Sequence, residues 1–356
     1  LTLSRGKFEI MFMGDKMGDE NKYLYHLAHK LVKDIIEVTK FERPVYFSIT
    51  AGSDAYKYGL GRYIRNEGMV LRVCPVDMAV QKDQGFDVDI MSDCLLNNVD
   101  NTDSYKTEPH YGFKFRNLAN PDVYYDEVHR RYLDSYRQTY LNFATYNLQT
   151  KNDTTKAVAL LNKMNESIST SMFPLMYDEE MQIARLYYDA GNIEKAKEYA
   201  QLCVNTVNKI NSNEALRGGR VHSLYDEITG RSGEGTFKSA AYAYKILNDY
   251  QKSRDMLMQL YNYIRTYTQN GADQQKFKEV ERNIYETMGM LRDIDYDEIE
   301  YLQKTAGNEK AIEAAKARLE EYKKNPDPYL GSMTIHIESK LNQLQGKTED
   351  TTEAKQ

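Results

Sequence analysis

The sequence predicts an α+β protein. A small α/β domain with a parallel βαβαβ sheet occupies residues 1–118, and an all-α domain of tetratricopeptide-like helical hairpins occupies 119–345. Three observations carry this reading. In the first third of the chain, short β-branched and aromatic runs alternate with segments that carry an apolar helical stripe. Further on, a pattern of small residues and polar turns recurs. The 356 residues, 41% of them hydrophobic, suffice for two domains with a core in each.

Phe8–Phe12 alternates with the period of a strand. Asp19-Glu20-Asn21 then opens a helix on which Leu24, Leu27, Leu31, Ile35 and Val38 form one apolar stripe. Glu42-Arg43-Pro44 ends it, because proline disfavours helix in the residue before it. Val45–Thr50 is a β-branched and aromatic run and reads as a strand. Ala51-Gly52-Ser53-Asp54 forms a turn that caps a helix over Tyr56–Asn66, closed by Gly68. Met69–Cys74 is a third strand, stopped by Pro75. The order β-α-β-α-β implies parallel pairing through right-handed crossovers. Residues 77–111 are polar and acidic without a sustained period, and they predict a long loop. Phe113–Arg116 reads as one more short strand.

Asn120-Pro121-Asp122 has the chemistry of a helix start, with a side-chain acceptor, a proline at the first turn and an acid after it. A repeat follows. Ala144 with Asn152–Ala157 matches Ala184 with Gly191–Ala196, and a weaker copy is Ala241 with Asn248–Ser253. Small residues permit close helix approach and a polar turn joins each pair, as in tetratricopeptide hairpins. Ala157 and Ala196 are 39 residues apart and Ala196 and Ser253 are 57 apart, so the array is irregular. The extra length falls at 211–238, which holds the loop-forming runs Arg217–Arg220 and Gly230–Gly235. Helices at about 273–292, 295–305, 309–324 and 332–344 complete the domain, and the polar tail 346–356 is expected to be disordered.

Several function classes fall away. A net charge of −6 argues against a sequence-independent grip on nucleic acid. No apolar run approaches the roughly 18 residues of a membrane helix. Cys74, Cys94 and Cys203 are widely spaced, which excludes a disulfide scaffold or cysteine zinc site but leaves one bridge open. The chain opens on Leu1 with no leader pattern, which predicts a removed signal or a piece of a longer protein. There is no phosphate-binding GxxxxGK[ST], no HExxH and no GxSxG. Gly59-Leu60-Gly61 lacks the third glycine of a dinucleotide site. His26 and His29 share a helical face without a third ligand, and ordinary boundary histidines are the favoured reading. No catalytic residue, metal or cofactor is expected.

Two places are candidate sites. At the end of the strand Val45–Thr50, residues Thr50, Gly52, Ser53, Asp54 and Tyr56 would line a ligand site, with Gly52 allowing close approach and Asp54 holding a hydroxyl pair. The bland alternative is a tight turn with Ser53 or Asp54 as a helix cap. The second place is the concave face of the hairpins, where Tyr187, Tyr188, Tyr242 and Tyr244 would meet a polypeptide. The chain has 30 tyrosines and no tryptophan. At helical spacing each tyrosine is also a natural packing residue.

Asp34-Ile35-Ile36, Glu42–Phe47, Gly59-Leu60, Glu67–Val73, Phe113–Leu118 and Asn120–Glu127 with Arg130-Arg131 form an ordered series. The series resembles the soluble C-terminal region of bacterial multipass membrane proteins of a domain-of-unknown-function family, related to the transmembrane protein O-mannosyltransferases of GT-C type. The resemblance implies a membrane glycosyltransferase that uses a lipid-linked sugar and has a periplasmic tail with tetratricopeptide-like repeats. It places the catalytic carboxylate in a membrane region outside this chain, so no catalytic residue is carried over. The implied role is a non-catalytic module that binds or positions an acceptor polypeptide or a partner protein. A carbohydrate-binding or catalytic α/β domain and a plain assembly scaffold are the alternatives.

Overall fold

The computed structural model describes residues 2–5, 8–11, 15–17, 22–24, 26–51, 54–57, 59–78, 85–97, 112–213, 216, 221–231, 234–269 and 274–346, with the backbone alone at 2–24, 54, 57 and 274–277. The chain divides into two compact units, Leu1–Pro174 and Leu175–Gln356. The first unit therefore holds one helical hairpin as well as the sheet.

In the first unit, β1 (Thr2–Arg5) pairs antiparallel with β2 (Phe8–Met11), and β3 (Asp15–Met17) with β4 (Lys22–Leu24). The expected helix start at Asp19–Asn21 lies outside the described residues; Leu24, expected on the helical stripe, ends β4 instead, and α1 runs only over Leu27–Thr39. Next come β5 (Val45–Ser48), the single turn α2 (Asp54–Lys57), β6 (Ile64–Glu67) and β7 (Val70–Val73). The sheet has the order β5-β7-β6 and is antiparallel throughout, which corrects the parallel βαβαβ expectation. The cause is local. Tyr56–Asn66 is not one helix: only its first two residues lie in α2 and its last three open β6, which folds straight back on β7 through the two-residue turn Gly68-Met69. Arg65 on β6 donates from Nε to Glu67 Oε1 at 2.9 Å, and Arg72 on β7 lies 3.5 Å from the same carboxylate. A hairpin needs no crossover, so nothing imposes a parallel order.

α1 covers one face of this sheet, where Ile36 packs with Ile64, Leu71 and Val73. Its apolar stripe points elsewhere. Leu27, Leu31, Ile35 and Val38 are 71%, 52%, 51% and 80% exposed. The residues 77–111, expected to be a loop, contain α3 (Val88–Leu96), capped by Asp87 Oδ1 accepting from the Ile90 amide at 3.1 Å. Residues 79–84 and 98–111 lie outside the described ones. Phe113–Arg116 joins no strand ladder; Phe113 and Phe115 meet Tyr136 edge-on at 4.9 and 5.3 Å. Asn120 does not start the next helix. Its Oδ1 accepts from the Asp122 amide, and α4 (Glu127–Gln149) begins under Asp126, whose Oδ1 accepts from the His129 amide at 2.9 Å. α5 (Thr154–Ser167) returns against α4. Cys74, Cys94 and Cys203 are all buried free thiols.

The second unit is helical: α6 (Tyr177–Asp189), α7 (Ile193–Ser212), α8 (Leu224–Thr229), α9 (Thr236–Ile246), α10 (Tyr250–Gln269), α11 (Gln274–Ala306), α12 (Asn308–Lys324) and α13 (Pro328–Leu344). The two helices expected over 273–305 are the one continuous α11, because no proline or glycine breaker stands at the join. α13 begins earlier than Ser332, under Asp327, whose Oδ1 accepts from the Tyr329 amide at 2.9 Å. The tail 347–356 and Arg217–Arg220 lie outside the described residues.

Three turns repeat the same chemistry, one in the first unit and two in the second. Asn152, Gly191 and Asn248 take left-handed backbone at φ 53°, 79° and 61°. The next residue caps the second helix: Asp153, Asn192 and Asp249 accept from the amides of Lys156, Lys195 and Lys252 at 2.9, 3.3 and 3.2 Å. Such a cap is worth about 1 kcal/mol. Ala157, Ala196 and Ser253, five residues after the left-handed position, are fully buried, and Ser253 Oγ donates to the Ala241 carbonyl at 2.6 Å.

α8 completes the third hairpin rather than decorating it. Gly235, at the cap position of α9, has no side chain to offer. Glu227 of α8 takes over: Oε1 accepts from Thr236 Oγ1 at 2.8 Å and Oε2 from the Phe237 amide at 3.2 Å. Asn283 of α11 fixes α8 by donating to the Glu227 and Ile228 carbonyls, and it accepts from Lys238 Nζ of α9 at 2.8 Å. Beyond this point a buried polar cluster links α10, α11 and α12. Arg254 and Asp295, 2% and 0% exposed, form an ion pair, and Tyr322 donates to Asp295 Oδ2 at 2.6 Å. Removing one partner of such a pair costs about 3–5 kcal/mol.

A Cβ added at Gly235 meets Glu227 Cγ and Oε2 at 2.5 Å. Gly235→Ala is expected to lower the stability of the second unit by about 1–3 kcal/mol in urea titrations followed by circular dichroism. A change below about 0.5 kcal/mol would show that the carboxylate moves aside freely.

Candidate functional site

The second unit brings side chains from α6, α9 and α11 around one cleft of about 290 Å³, lined by Arg185, Glu234, Tyr242, Lys245, Met290, Asp293 and Ile294. Arg185 stands at the second-last turn of α6. Its two terminal nitrogens grip Glu234 at 3.0 and 3.2 Å, and its guanidinium lies 4.3 Å above the centre of the Tyr242 ring. Lys245, one turn along α9, reaches the same ring at 5.1 Å and pairs with Asp297 of α11 at 2.5 Å. Burial opposes the Lys245 charge, but the Asp297 carboxylate outweighs it and raises the pKa. Beside the cleft, the rings of Tyr250 and Tyr301 are 5.5 Å apart. Burial raises the Asp189 carboxyl above its ordinary range, against the pull of Arg185 and Lys245. The cleft thus offers an aromatic platform, a methionine and paired charges of both signs. Among the described residues it holds no nucleophile beside a base.

Of the tyrosines singled out in the sequence, Tyr242 lines this cleft and Tyr188 is 41% exposed on α6. Tyr187 and Tyr244 are packed at 1% and 9% exposure, and Tyr187 stacks on Tyr199 of α7 at 5.8 Å. Arg185, Glu234, Met290 and Asp293 escaped sequence reasoning. Arg185 directly follows Ala184 of the repeat pattern, but its partner Glu234 is 49 residues away, and no local pattern links the two.

On the strand-end candidate, Gly52 and Ser53 lie outside the described residues. Asp54 opens α2, and its side chain lies outside them too. Thr50 is exposed with its hydroxyl 2.8 Å from that of Ser48. Tyr56 is 45% exposed, and partial burial raises its phenol pKa. With the sheet antiparallel, the expectation of a ligand beyond a parallel strand end has lost its basis. His26 and His29 stack on each other at 5.4 Å. A larger cleft of about 550 Å³ lies in the first unit, where Phe113, Phe115, Asn117 and Asn120 face Tyr140 and Lys163. Burial there pushes the Tyr140 phenol up to about 12.

A family model described as TMEM260-associated domain 2 matches residues 15–91. Among solved structures, the crystal structure of nearly identical TPR-like repeats assigned to a kinesin light chain of Podosopora anserina is 16% identical. The alignment covers 60% of this chain and 88% of that one, with a TM-score of 0.32. The Q17M form of those repeats is also 16% identical, over 64% of this chain and 92% of that one, with a TM-score of 0.33. No curated protein matches the chain. No described helix is long and apolar enough to cross a membrane.

On the α7 side of α6, Glu180 is 6% exposed and accepts from Thr206 Oγ1 at 3.2 Å. Burial pushes its carboxyl up to about 7 from 4.5. The folded chain therefore keeps a proton that the unfolded chain releases near 4.5. Stability is expected to fall as pH rises from about 4.5 through about 7, by at most about 3 kcal/mol. Urea midpoints across pH 5 to 8 check this: Glu180→Gln should flatten the dependence, and an equally steep profile in the variant would assign it elsewhere.

Proposed function

We propose that this chain is a non-catalytic, protein-binding module of a membrane glycosyltransferase, held on the periplasmic side, whose α6–α9–α11 face receives an acceptor polypeptide or a partner protein. The observation that carries the reading is the cleft itself, where Tyr242 lies under Arg185 and Lys245 with Met290 and Ile294 beside it. Its volume of about 290 Å³ is at the low end for a small-molecule pocket and suits one or two side chains of an extended segment. Aromatic, arginine and methionine side chains are the types enriched where proteins bind one another. Tyr188 and Tyr242 are the proposed contacts, while Tyr187 and Tyr244 hold the helices that present them.

The match of residues 15–91 to a TMEM260-associated domain supports the link to glycosyl transfer, as does the resemblance to the O-mannosyltransferase-related family. The reading places the sugar chemistry, with its GT-C machinery, in a membrane region outside these residues.

Binding to arrays of extended peptides that tile extracytoplasmic proteins tests the proposal. Tyr188→Ala combined with Tyr242→Ala is expected to weaken captured peptides by about tenfold or more while leaving the circular dichroism spectrum unchanged. Peptide binding that ignores both substitutions would sink the assignment of this face.

A further inference from the structure

In the second unit, each described cation that lies over a tyrosine ring also bonds a carboxylate. Arg185 and Lys245 do so on Tyr242, with Glu234 and Asp297 as their acids. Arg265 lies 5.1 Å over Tyr329 and bonds Asp327 at 2.8 Å. Lys340 lies 5.5 Å over Tyr296 and bonds Glu300 at 2.7 Å. The ring face attracts the positive head, the acid neutralises it, and the apolar stem is covered on the way.

At the end of α6 a ring and an acid stand together without the cation. Tyr188 is 41% exposed, and Asp189 is exposed beside it. Asp189 makes no ion pair or hydrogen bond among the described residues. Its natural partner is Arg185, one turn earlier on the same side of the helix, but both terminal nitrogens of Arg185 go to Glu234. Tyr188 and Asp189 each interact electrostatically with Lys245, so both border the cleft. Tyr188 also lies near Tyr250, whose ring is 5.5 Å from that of Tyr301.

Asp189 does not serve its own helix. An acid in the last turn opposes the helix dipole, and α6 has no basic residue there to balance it. Partial burial raises its carboxyl, and the attraction of Arg185 and Lys245 does not offset that. The charges around the cleft indicate what is missing. Glu234 answers Arg185, Asp297 answers Lys245 and Arg292 answers Asp293. Among the described residues around the cleft, Asp189 is left over, and one more positive charge balances the face.

Building on the protein-binding reading of this face, we propose that it selects a polypeptide by one lysine or arginine, whose stem lies against Tyr188 and whose head pairs with Asp189. The adjoining cleft then takes a neighbouring side chain of the same segment.

Random nonapeptide libraries with the central residue fixed as lysine, arginine, methionine, glutamine or glutamate are the probes, and fluorescence polarisation with the whole chain is the readout. The wild-type chain is expected to bind the lysine and arginine libraries about fivefold more tightly than the methionine and glutamine libraries. D189N is expected to abolish that preference while leaving the methionine library's affinity and the circular dichroism spectrum unchanged, and D189K to shift the preference to glutamate. A preference for lysine that survives D189N would overturn the inference, as would equal binding of all five libraries. Charge-indifferent binding that is lost when Tyr188→Ala is combined with Tyr242→Ala would remove this inference alone and keep the protein-binding reading. A wild-type chain that binds none of the libraries would remove both.

Discussion

The paired helices can cross closely only where their side chains are small, and the tyrosine-bearing face depends on that constraint. Ala184 and Ala196 in one hairpin, and Ala241 and Ser253 in the next, are buried without residue of exposure. Two helix axes approach to about 8–10 Å only when little stands between them. Larger side chains there would push α6 from α7 and α9 from α10. Arg185 and Tyr242, which sit on the first helix of each pair, would then lose their common height. The guanidinium stacked at 4.3 Å over the ring thus depends on the close helix approach that the alanines permit.

Past the third hairpin a different force takes over. α11 and α12 show no alanine–alanine turn of the repeat type, and a buried ionic cluster stands in its place. Arg254 donates to Asp295 and to Tyr322, and Arg318 reaches Asp295 at 3.2 Å and Glu298 at 2.8 Å. Tyr261 and Arg265 of α10 both bond Asp327, the cap of α13, at 2.5 and 2.8 Å. Apolar packing tolerates sliding by a fraction of a turn, whereas these bonds have fixed directions. They specify the register of the last helices at the expense of desolvating several charges.

The hairpins were legible in the sequence because each states its own geometry within a dozen residues: a small residue, a left-handed Asn or Gly, a capping Asp or Asn, and a second small residue. The sheet was not. Tyr56–Asn66 has helix-compatible spacing, and the turn that makes it a strand is only the dipeptide Gly68-Met69. The helix at Val88–Leu96 was hidden inside a polar stretch that reads as loop. Of the α1 stripe, Leu27, Leu31, Ile35 and Val38 lie on the helix while Leu24 lies in β4, and amphipathicity says that a face exists and not which way it points. For the site, Tyr188 and Tyr242 were visible as residue types. Apart from Glu234 and Lys245, the groups that make Tyr242 part of a cleft come from two other elements, α6 and α11, and pairings across roughly 50 to 60 residues leave no local signature.

The cap that Glu227 places on α9 has a consequence for how the second unit comes apart. In a simple repeat array each hairpin is complete in itself, and ends can fray while the middle stands. Here the third hairpin borrows its first hydrogen-bond acceptor from α8, and Asn283 of α11 holds α8 in place. Three stretches of chain, around residues 227, 237 and 283, must therefore be in place together. The link turns a chain of nearest neighbours into a cooperative block. Amide protons of α8, α9 and the middle of α11 should share one opening event, so the repeat nearest the cleft unlocks as a unit and does not fray turn by turn.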